Sequence, residues 1–194
     1  MKTRKATLLI LGSCLVLASL CLVLFLGIRT HLGAKTCQQV LTQLSTLLPQ
    51  RTPGVPGTQP NTVMPILEID GTDYVAILEI PAYGVTLPVA DRWDRHKLSA
   101  SPARFWGSAY DRTLVIGGAD APRQLGFCDQ IEEGALVTVT DMTGVQFDYA
   151  VSGVDRAKHA ETQWLTDAAC DLTLFCHDLY SMEYIAVRCI SAHR

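Results

Sequence analysis

The longest uninterrupted run of apolar residues lies close to the N-terminus. Ala6 to Ile28 contains 23 residues without a charge or a proline. A helix of this length extends roughly 34 Å, which is enough to cross a hydrocarbon core of about 30 Å. The apolar region of a cleaved signal peptide is shorter, about 7–15 residues. The pattern therefore predicts a single transmembrane signal anchor over residues 6–28, preceded by a short tail at residues 1–5.

Basic residues on the two sides of this run indicate its orientation. Lys2, Arg4 and Lys5 precede it, whereas Arg29 and Lys35 follow it more sparsely. Because positive residues are retained on the cytoplasmic side, the tail is expected in the cytoplasm and the rest of the chain outside the cell membrane.

The segment after the anchor changes from a helical pattern to a region rich in proline and glycine. Thr36 to Leu48 has leucine and valine at helical spacing, which predicts a short stalk helix or a continuation of the membrane helix. Pro49 to Pro60 contains six proline and glycine residues, which is typical of a linker. We therefore expect residues 29–61 to form a stalk and linker, and the folded domain, residues 62–194, to begin near Thr62.

The remainder of the chain consists of short β-type segments separated by turn signals. Pro65–Ile69 and Thr72–Ile80 flank Asp70-Gly71, a strong signal for a two-residue hairpin. Gly117-Gly118 is interpreted as a turn that ends an apolar strand. About eight strands and few helices predict an all-β domain with short helices, either a closed or nearly closed antiparallel barrel or a sandwich. The other predicted strands are Val85–Val89, Thr113–Ile116, Ala135–Thr140, Val145–Val154, Asp171–Cys176 and Tyr184–Cys189, with short helices at Asp94–Ala100 and Lys158–Leu165.

Charge argues against one class of partner. The chain has 16 Lys and Arg residues and 19 Asp and Glu residues. Since three of the basic residues belong to the N-terminal tail, the exterior part has a net charge of about −6. An acidic domain without a basic stripe binds phosphate groups poorly, so we do not expect nucleic acid as a partner.

Cysteine spacing argues against a metal site or cofactor. Two of the seven cysteines lie in the anchor, and no pair has the CxxC spacing of a zinc site. We therefore expect no metal and no cofactor. The exterior thiols are interpreted as small buried hydrophobic groups, with a Cys170–Cys189 disulfide as the alternative. The five exterior cysteines are Cys37, Cys128, Cys170, Cys176 and Cys189.

Several segments between Met64 and Cys189 occur in an order and spacing that resemble a known family. They are Tyr74–Pro81 with Gly84 and Leu87–Val89, Gly107–Tyr110 with Leu114–Gly118, Gly134–Tyr149, Leu172–Phe175, and Val187–Cys189. Behind a signal anchor, they resemble the sortases, the membrane-anchored cysteine transpeptidases of Gram-positive cell surfaces, and most of all the class B subgroup. The resemblance implies an eight-stranded sortase-type barrel and a surface-protein sorting peptide or cell-wall protein as partner.

The catalytic positions depart from the family pattern. Sortase chemistry uses a thiol nucleophile, an imidazole for proton transfer and an arginine that steadies the substrate and the oxyanion. Where the resemblance places the histidine, the chain has Ala119. Counting without a gap places His177 in the cysteine position and Cys176 one residue before it. Tyr184 occupies the arginine position, and Arg188 lies four residues further, about 13 Å along a strand.

The orientation of Cys176 leaves two functions open. Neighbouring residues of a strand point to opposite faces, so Cys176 is expected to share a face with Leu172 and Leu174. A β-bulge at the strand end would instead turn Cys176 towards the cleft. The first interpretation predicts a catalytically degenerate sortase, a peptide-binding or scaffolding module at the cell surface. The alternative is an active sortase-type cysteine transpeptidase or hydrolase that attaches surface proteins to the cell wall through Cys176.

Overall fold

A computed structural model describes most of the predicted exterior domain. The described residues are 15–17, 19–22, 37–48, 50–57, 63–94, 101–122, 124–166, 169–178 and 181–192. Most of the predicted anchor and residues 95–100 of the predicted short helix lie outside these ranges. Residues 15–17 and 19–22 are helical. Within the described ranges, no helix has the length and apolar character needed to cross a membrane.

Strands dominate the described residues. They are β1 (Thr52–Pro53), β2 (Leu67–Ile69), β3 (Thr72–Ile80), β4 (Val85–Ala90), β5 (Ala103–Trp106), β6 (Leu114–Ala119), β7 (Leu136–Asp141), β8 (Val145–Ala157), β9 (Leu172–Asp178) and β10 (Glu183–Ser191). Residues 37–47 form helix α1, Pro81–Tyr83 form a 3₁₀ turn, and Thr162–Leu165 form helix α2. The predicted helix over Lys158–Leu165 is therefore only one turn long.

Eight of these strands close into a barrel. Neighbouring strands follow the order β8-β10-β9-β6-β5-β4-β3, and β7 pairs with both β3 and β8, which completes the ring. This arrangement confirms the predicted barrel and excludes the sandwich. The barrel is mixed rather than antiparallel, because β6 pairs with β9 and β4 with β5 in parallel. The β7–β8 hairpin lies between β6 and β9 in the sequence. After this hairpin, the chain returns as β9, which runs beside β6 in the same direction.

The first hairpin forms where the sequence predicts it. Asp70 has φ 50° and Gly71 has φ 74°, and the strands they join pair at Ile69 and Thr72. Positive φ at both central residues matches the right-handed twist of the flanking strands. Asparagine, aspartate and glycine tolerate this conformation best, which is why this dipeptide signalled the turn.

The prediction that Gly117-Gly118 ends a strand is wrong, since both residues lie inside β6. The reason is a close side-chain contact rather than a turn. A Cβ atom added at Gly117 would lie 2.6 Å from the ring of Phe175 and still closer to the indole of Trp93. Glycine at this position therefore allows two aromatic rings to lie directly on the strand.

The segment expected to be a stalk packs against the barrel. Helix α1 buries Val40 and Leu44 in a cluster with Tyr74 and Ile77 of β3 and Met142. The helical prediction for this segment agrees with α1. The expected domain start at Thr62 differs from the structure, because burial of these apolar side chains joins the helix to the domain.

The proline- and glycine-rich segment also lies along the barrel. Strand β1 pairs in parallel with the start of β8, and the Gly54 amide donates to the Gln146 carbonyl at 2.7 Å. The Gly57 amide donates to the Tyr110 carbonyl at 2.6 Å. Pro53 fits because β1 is an edge strand, and Gly54 fits because a Cβ there would lie 2.5 Å from Val145 Cγ1. Residues 50–57 are therefore a docked edge rather than a free linker.

Candidate functional site

The ends of β6, β9 and β10 bring three predicted site positions into one row. Ala119 of β6 is paired with His177 of β9, and His177 is paired with Tyr184 of β10. One residue earlier on β9, Cys176 is paired with Gly118 and Ile185. The row Ala119–His177–Tyr184 therefore joins positions that are far apart in the sequence.

This row lies on the outer face of the barrel. His177 follows Phe175 by two residues on β9 and therefore shares its face. The rings of His177 and Tyr184 are 4.6 Å apart with an interplanar angle of 57°. Both side chains are partly exposed, so an imidazole and a phenol are available to a ligand. Ala119 contributes only a methyl group.

An aromatic cluster borders the row on the same face. The ring centroids of Trp93 and Phe175 are 5.1 Å apart, and those of Phe105 and Phe175 are 5.4 Å apart. Phe105 packs edge-on against both partners. Such edge-to-face pairs fix ring positions more firmly than area burial alone. The row is thus set beside a rigid apolar wall.

Cys176 points in the opposite direction, into the barrel. Its side chain is 1% exposed and belongs to the same core cluster as Leu172 and Leu174. The Cys176 thiol donates to the Leu125 carbonyl at 3.6 Å. The pairing of β9 with both neighbours runs without a shift from residue 172 to residue 177. The predicted inward face is confirmed, and the bulge that would have turned Cys176 outward is absent from β9.

A second thiol covers Cys176 from the turn region after β6. Cys128 is fully buried and belongs to the same core cluster as Cys176. A hydrogen bond to the Cys176 thiol, together with burial, raises the pKa of Cys128 well above its ordinary value. The Cys128–Cys176 contact was not predicted, because nothing in the sequence indicates how a turn 48 residues away folds over the strand end. Among the described residues, no disulfide joins any two cysteines, including the Cys170–Cys189 pair considered above.

The turn that carries Cys128 also holds the backbone of Ala119. The Leu125 amide donates to the Ala119 carbonyl at 3.1 Å, and the Ala119 amide donates to Gln124 Oε1 at 3.2 Å. Gln124 is itself buried. Both polar backbone groups of Ala119 are therefore satisfied, and the end of β6 is fixed in place.

Arg188 does not reach the row. Its guanidinium is buried beside α2, where it donates to the Trp164 carbonyl at 2.7 Å and pairs with Asp155 at 2.9 Å. It also donates to Thr173 Oγ1 at 3.3 Å and lies 5.0 Å from the Trp164 ring centroid. These contacts attach α2 to the sheet, and they give Arg188 a structural role.

The row offers an imidazole and a phenol, which can hydrogen-bond and stack with a ligand. Of the described residues considered above, the Cys176 thiol is buried in the core and the Arg188 guanidinium is held at α2, so neither is directed to the row. In the part of the chain that the structure describes, no cluster of three His, Cys, Asp or Glu side chains is arranged to hold a metal ion.

Comparisons with solved structures identify the fold. Sortase A from Corynebacterium diphtheriae superposes with a TM-score of 0.56 at 19% identity, covering 63% of this chain and 62% of that one. Sortase C1 from Streptococcus agalactiae gives a TM-score of 0.56 at 19% identity, with 66% and 72% covered. Sortase C from Clostridium perfringens, with the C-terminal cell wall sorting motif, gives 0.51 at 15% identity, with 61% and 70% covered.

The likeness is one of structure, not of sequence. No protein-family model matches the chain, and no curated protein matches it. The chain covers less than two thirds of the length of the Corynebacterium sortase A. At such low identity, the shared topology shows the fold and not the function. The eight-stranded barrel of this protein therefore has the sortase fold.

Proposed function

We propose that this protein is a membrane-anchored, extracytoplasmic sortase-fold module that binds a sorting peptide or cell-wall protein without performing transpeptidation. The observation that carries the proposal is the row Ala119–His177–Tyr184 on the outer face, with Cys176 directed into the core. In this proposal, the three row residues occupy the positions of the sortase histidine, cysteine and arginine.

Loss of these groups removes the means of catalysis. General acid–base groups contribute typically about 10²–10⁴ in rate, and one oxyanion donor about 10²–10³. Such losses are not additive, but each alone leaves a slow reaction. A methyl group at Ala119 transfers no proton, and the Tyr184 phenol lacks a permanent positive charge. The 1% exposed Cys176 thiol is also unable to reach a substrate carbonyl on the outer face.

The remaining groups support binding. A sortase of this fold has been solved with a C-terminal cell wall sorting motif. The partly exposed rings of His177 and Tyr184 offer hydrogen bonds and an aromatic surface to a peptide. Because these rings offer binding contacts while the Cys176 thiol lies in the core, binding without turnover is the function that the site supports best.

Transpeptidation is tested by acyl-enzyme trapping. Full-length protein in detergent is incubated with a panel of C-terminal sorting-motif peptides, and intact-mass spectrometry measures any thioester. We expect no adduct in the parent or in Cys176→Ala. A thioester that forms on the parent and disappears in Cys176→Ala would instead establish the alternative, an active sortase-type transpeptidase or hydrolase.

Binding is tested separately with the same peptides. We expect at least one peptide to bind, with an affinity lowered about tenfold or more in His177→Ala or Tyr184→Ala. Leu136→Ala is a matched control, because Leu136 is an exposed apolar residue outside the row. Equal affinity of all variants, or no binding to any peptide or cell-wall preparation, would contradict the binding role.

The membrane location rests on the charge-free run at residues 6–28 and the basic tail before it. Protease added to protoplasts should remove the domain while leaving the anchor in the membrane fraction. Protection of the domain, or its recovery as a soluble mature protein, would contradict this location.

A further inference from the structure

A pair of cysteines lies against one wall of the barrel core beneath the row. Cys128 and Cys176 are 0% and 1% exposed and belong to the same apolar cluster. Both residues bind the same backbone carbonyl, and the neighbouring Cys176 thiol is the first cause of the raised pKa of Cys128. Neither thiol has a role in the binding function proposed above, so the contact calls for a separate explanation.

The two residues are held near each other by one shared acceptor. The Cys128 amide donates to the Leu125 carbonyl at 3.1 Å, and the Cys176 thiol donates to the same carbonyl at 3.6 Å. Leu125 is in turn attached to β6 through Ala119. The turn after β6 and the end of β9 are thus held together by hydrogen bonds to one carbonyl, and each of the two segments carries one cysteine.

We propose that Cys128 and Cys176 form a disulfide bond on exposure to an oxidising exterior. In this step, one thiolate attacks the disulfide of a small or protein oxidant and forms a mixed disulfide. The second thiolate then attacks the protein sulfur, so that one S–S bond forms and the oxidant leaves as two thiols. Two electrons and two protons pass from the cysteine pair to the oxidant.

Burial determines how the step proceeds. The closed pair is unreactive, because the thiolate is the nucleophile and the pKa of Cys128 is raised by its hydrogen bond and by burial. Oxidation therefore requires the turn carrying Cys128 to open from the barrel. Once formed, the bond closes a loop of about 47 residues and prevents that opening.

The bond is tested by peptide mapping of the full-length protein in detergent after incubation with glutathione disulfide. Trypsin releases residues 124–156, which contain Cys128, and residues 159–188, which contain Cys170 and Cys176. We expect these two peptides as one linked species that reductant separates. The oxidised protein should also melt about 5 °C or more above the reduced protein.

Three variants separate the proposed bond from other pairings. Cys128→Ser and Cys176→Ser should both abolish the linked peptide and the rise in melting temperature. Cys189→Ser should retain both, because Cys189 is equally buried but lies at the other end of the strand pair.

The outcome of the disulfide mapping does not depend on peptide binding. Absence of the linked peptide from native oxidised protein, or its persistence in Cys176→Ser through Cys170, would overturn the proposal. Since the mapping requires no ligand, its outcome stands whether or not the protein binds a sorting peptide.

Discussion

Replacing Arg188 with leucine tests how helix α2 is attached to the barrel. The Arg188 side chain is 6% exposed, and its guanidinium contacts three acceptors besides Asp155. These are the Trp164 carbonyl at 2.7 Å, the Leu165 carbonyl at 3.4 Å and Thr173 Oγ1 at 3.3 Å. Leucine retains part of the apolar volume but leaves the acceptors without their donor.

The expected cost follows from these contacts. A buried acceptor left without a partner costs about 1–3 kcal/mol, and water reaching the half-buried Trp164 reduces that penalty. The Asp155 pair adds little, because that carboxylate is 53% exposed. We therefore expect Arg188→Leu to lower the free energy of unfolding by about 3–5 kcal/mol. At about 2–4 °C per kcal/mol for a chain of this size, the melting temperature should fall by about 10 °C.

Thermal unfolding followed by circular dichroism measures this effect. Asp155→Asn is the control and should shift the melting temperature by less than about 3 °C. A melting temperature of Arg188→Leu within 2 °C of the parent would show that water replaces the guanidinium. A loss in Asp155→Asn equal to that in Arg188→Leu would show that the ion pair, not the carbonyl contacts, provides the stability.

Three further predictions test the packing. Gly117→Ala should cost about 1–3 kcal/mol in urea unfolding because the added methyl collides with two aromatic rings, whereas Gly153→Ala, where an added Cβ would lie 4.0 Å from Glu133 Oε1, should cost little. Burial and the hydrogen bond to Asp141 raise the pKa of Tyr110 to about 12, so the neutral phenol stabilises the folded protein below pH 10, and this stabilisation is lost as the pH rises towards 12. Tyr110→Phe should reduce this loss in the free energy of unfolding at high pH. An unchanged pH profile of stability in Tyr110→Phe would refute the coupling. A chain shortened to start at Thr62 should unfold at a lower urea concentration than one retaining α1, and equal midpoints would contradict the docking of that helix.

Local patterns in the sequence predicted those features of the barrel that depend only on side-chain alternation and on turn-forming residues. The Asp70-Gly71 turn depends on backbone conformations that few residue types accept, so it was recognisable from two letters. The inward face of Cys176 followed from the two-residue period of a strand. Both inferences need only nearest neighbours along the chain.

Features that depend on distant contacts were not predictable in this way. Strand β5 was missed, because its pairing with β6 contains an irregularity at Arg104 and Trp106 and its pairing with β4 is limited to one residue pair. Gly117 appeared to be a turn signal, because the ring that requires a glycine comes from Trp93, far earlier in the chain. The docking of α1 likewise depends on an apolar groove that exists only after the barrel has formed.

In the candidate site, too, residue identities could be predicted from the sequence, whereas contacts between distant residues could not. The identities of Ala119, His177 and Tyr184 were read from the resemblance to sortases, but their meeting in one row depends on the register of three strands. The contact between Cys128 and Cys176 depends on how one turn packs over a strand end. No local pattern contains that information.

The central claim, that β9 directs His177 to the outer row and the Cys176 thiol into the core, is tested most directly by thiol labelling. The rate of iodoacetamide labelling at pH 7, measured by peptide mass spectrometry, is compared between the parent and His177→Cys, each after reduction. We predict slow labelling of Cys176 in both proteins, limited by opening of the core, and labelling of the introduced thiol at least about 100-fold faster. Rapid, selective labelling of Cys176 in the folded parent, with the introduced thiol protected, would contradict the account.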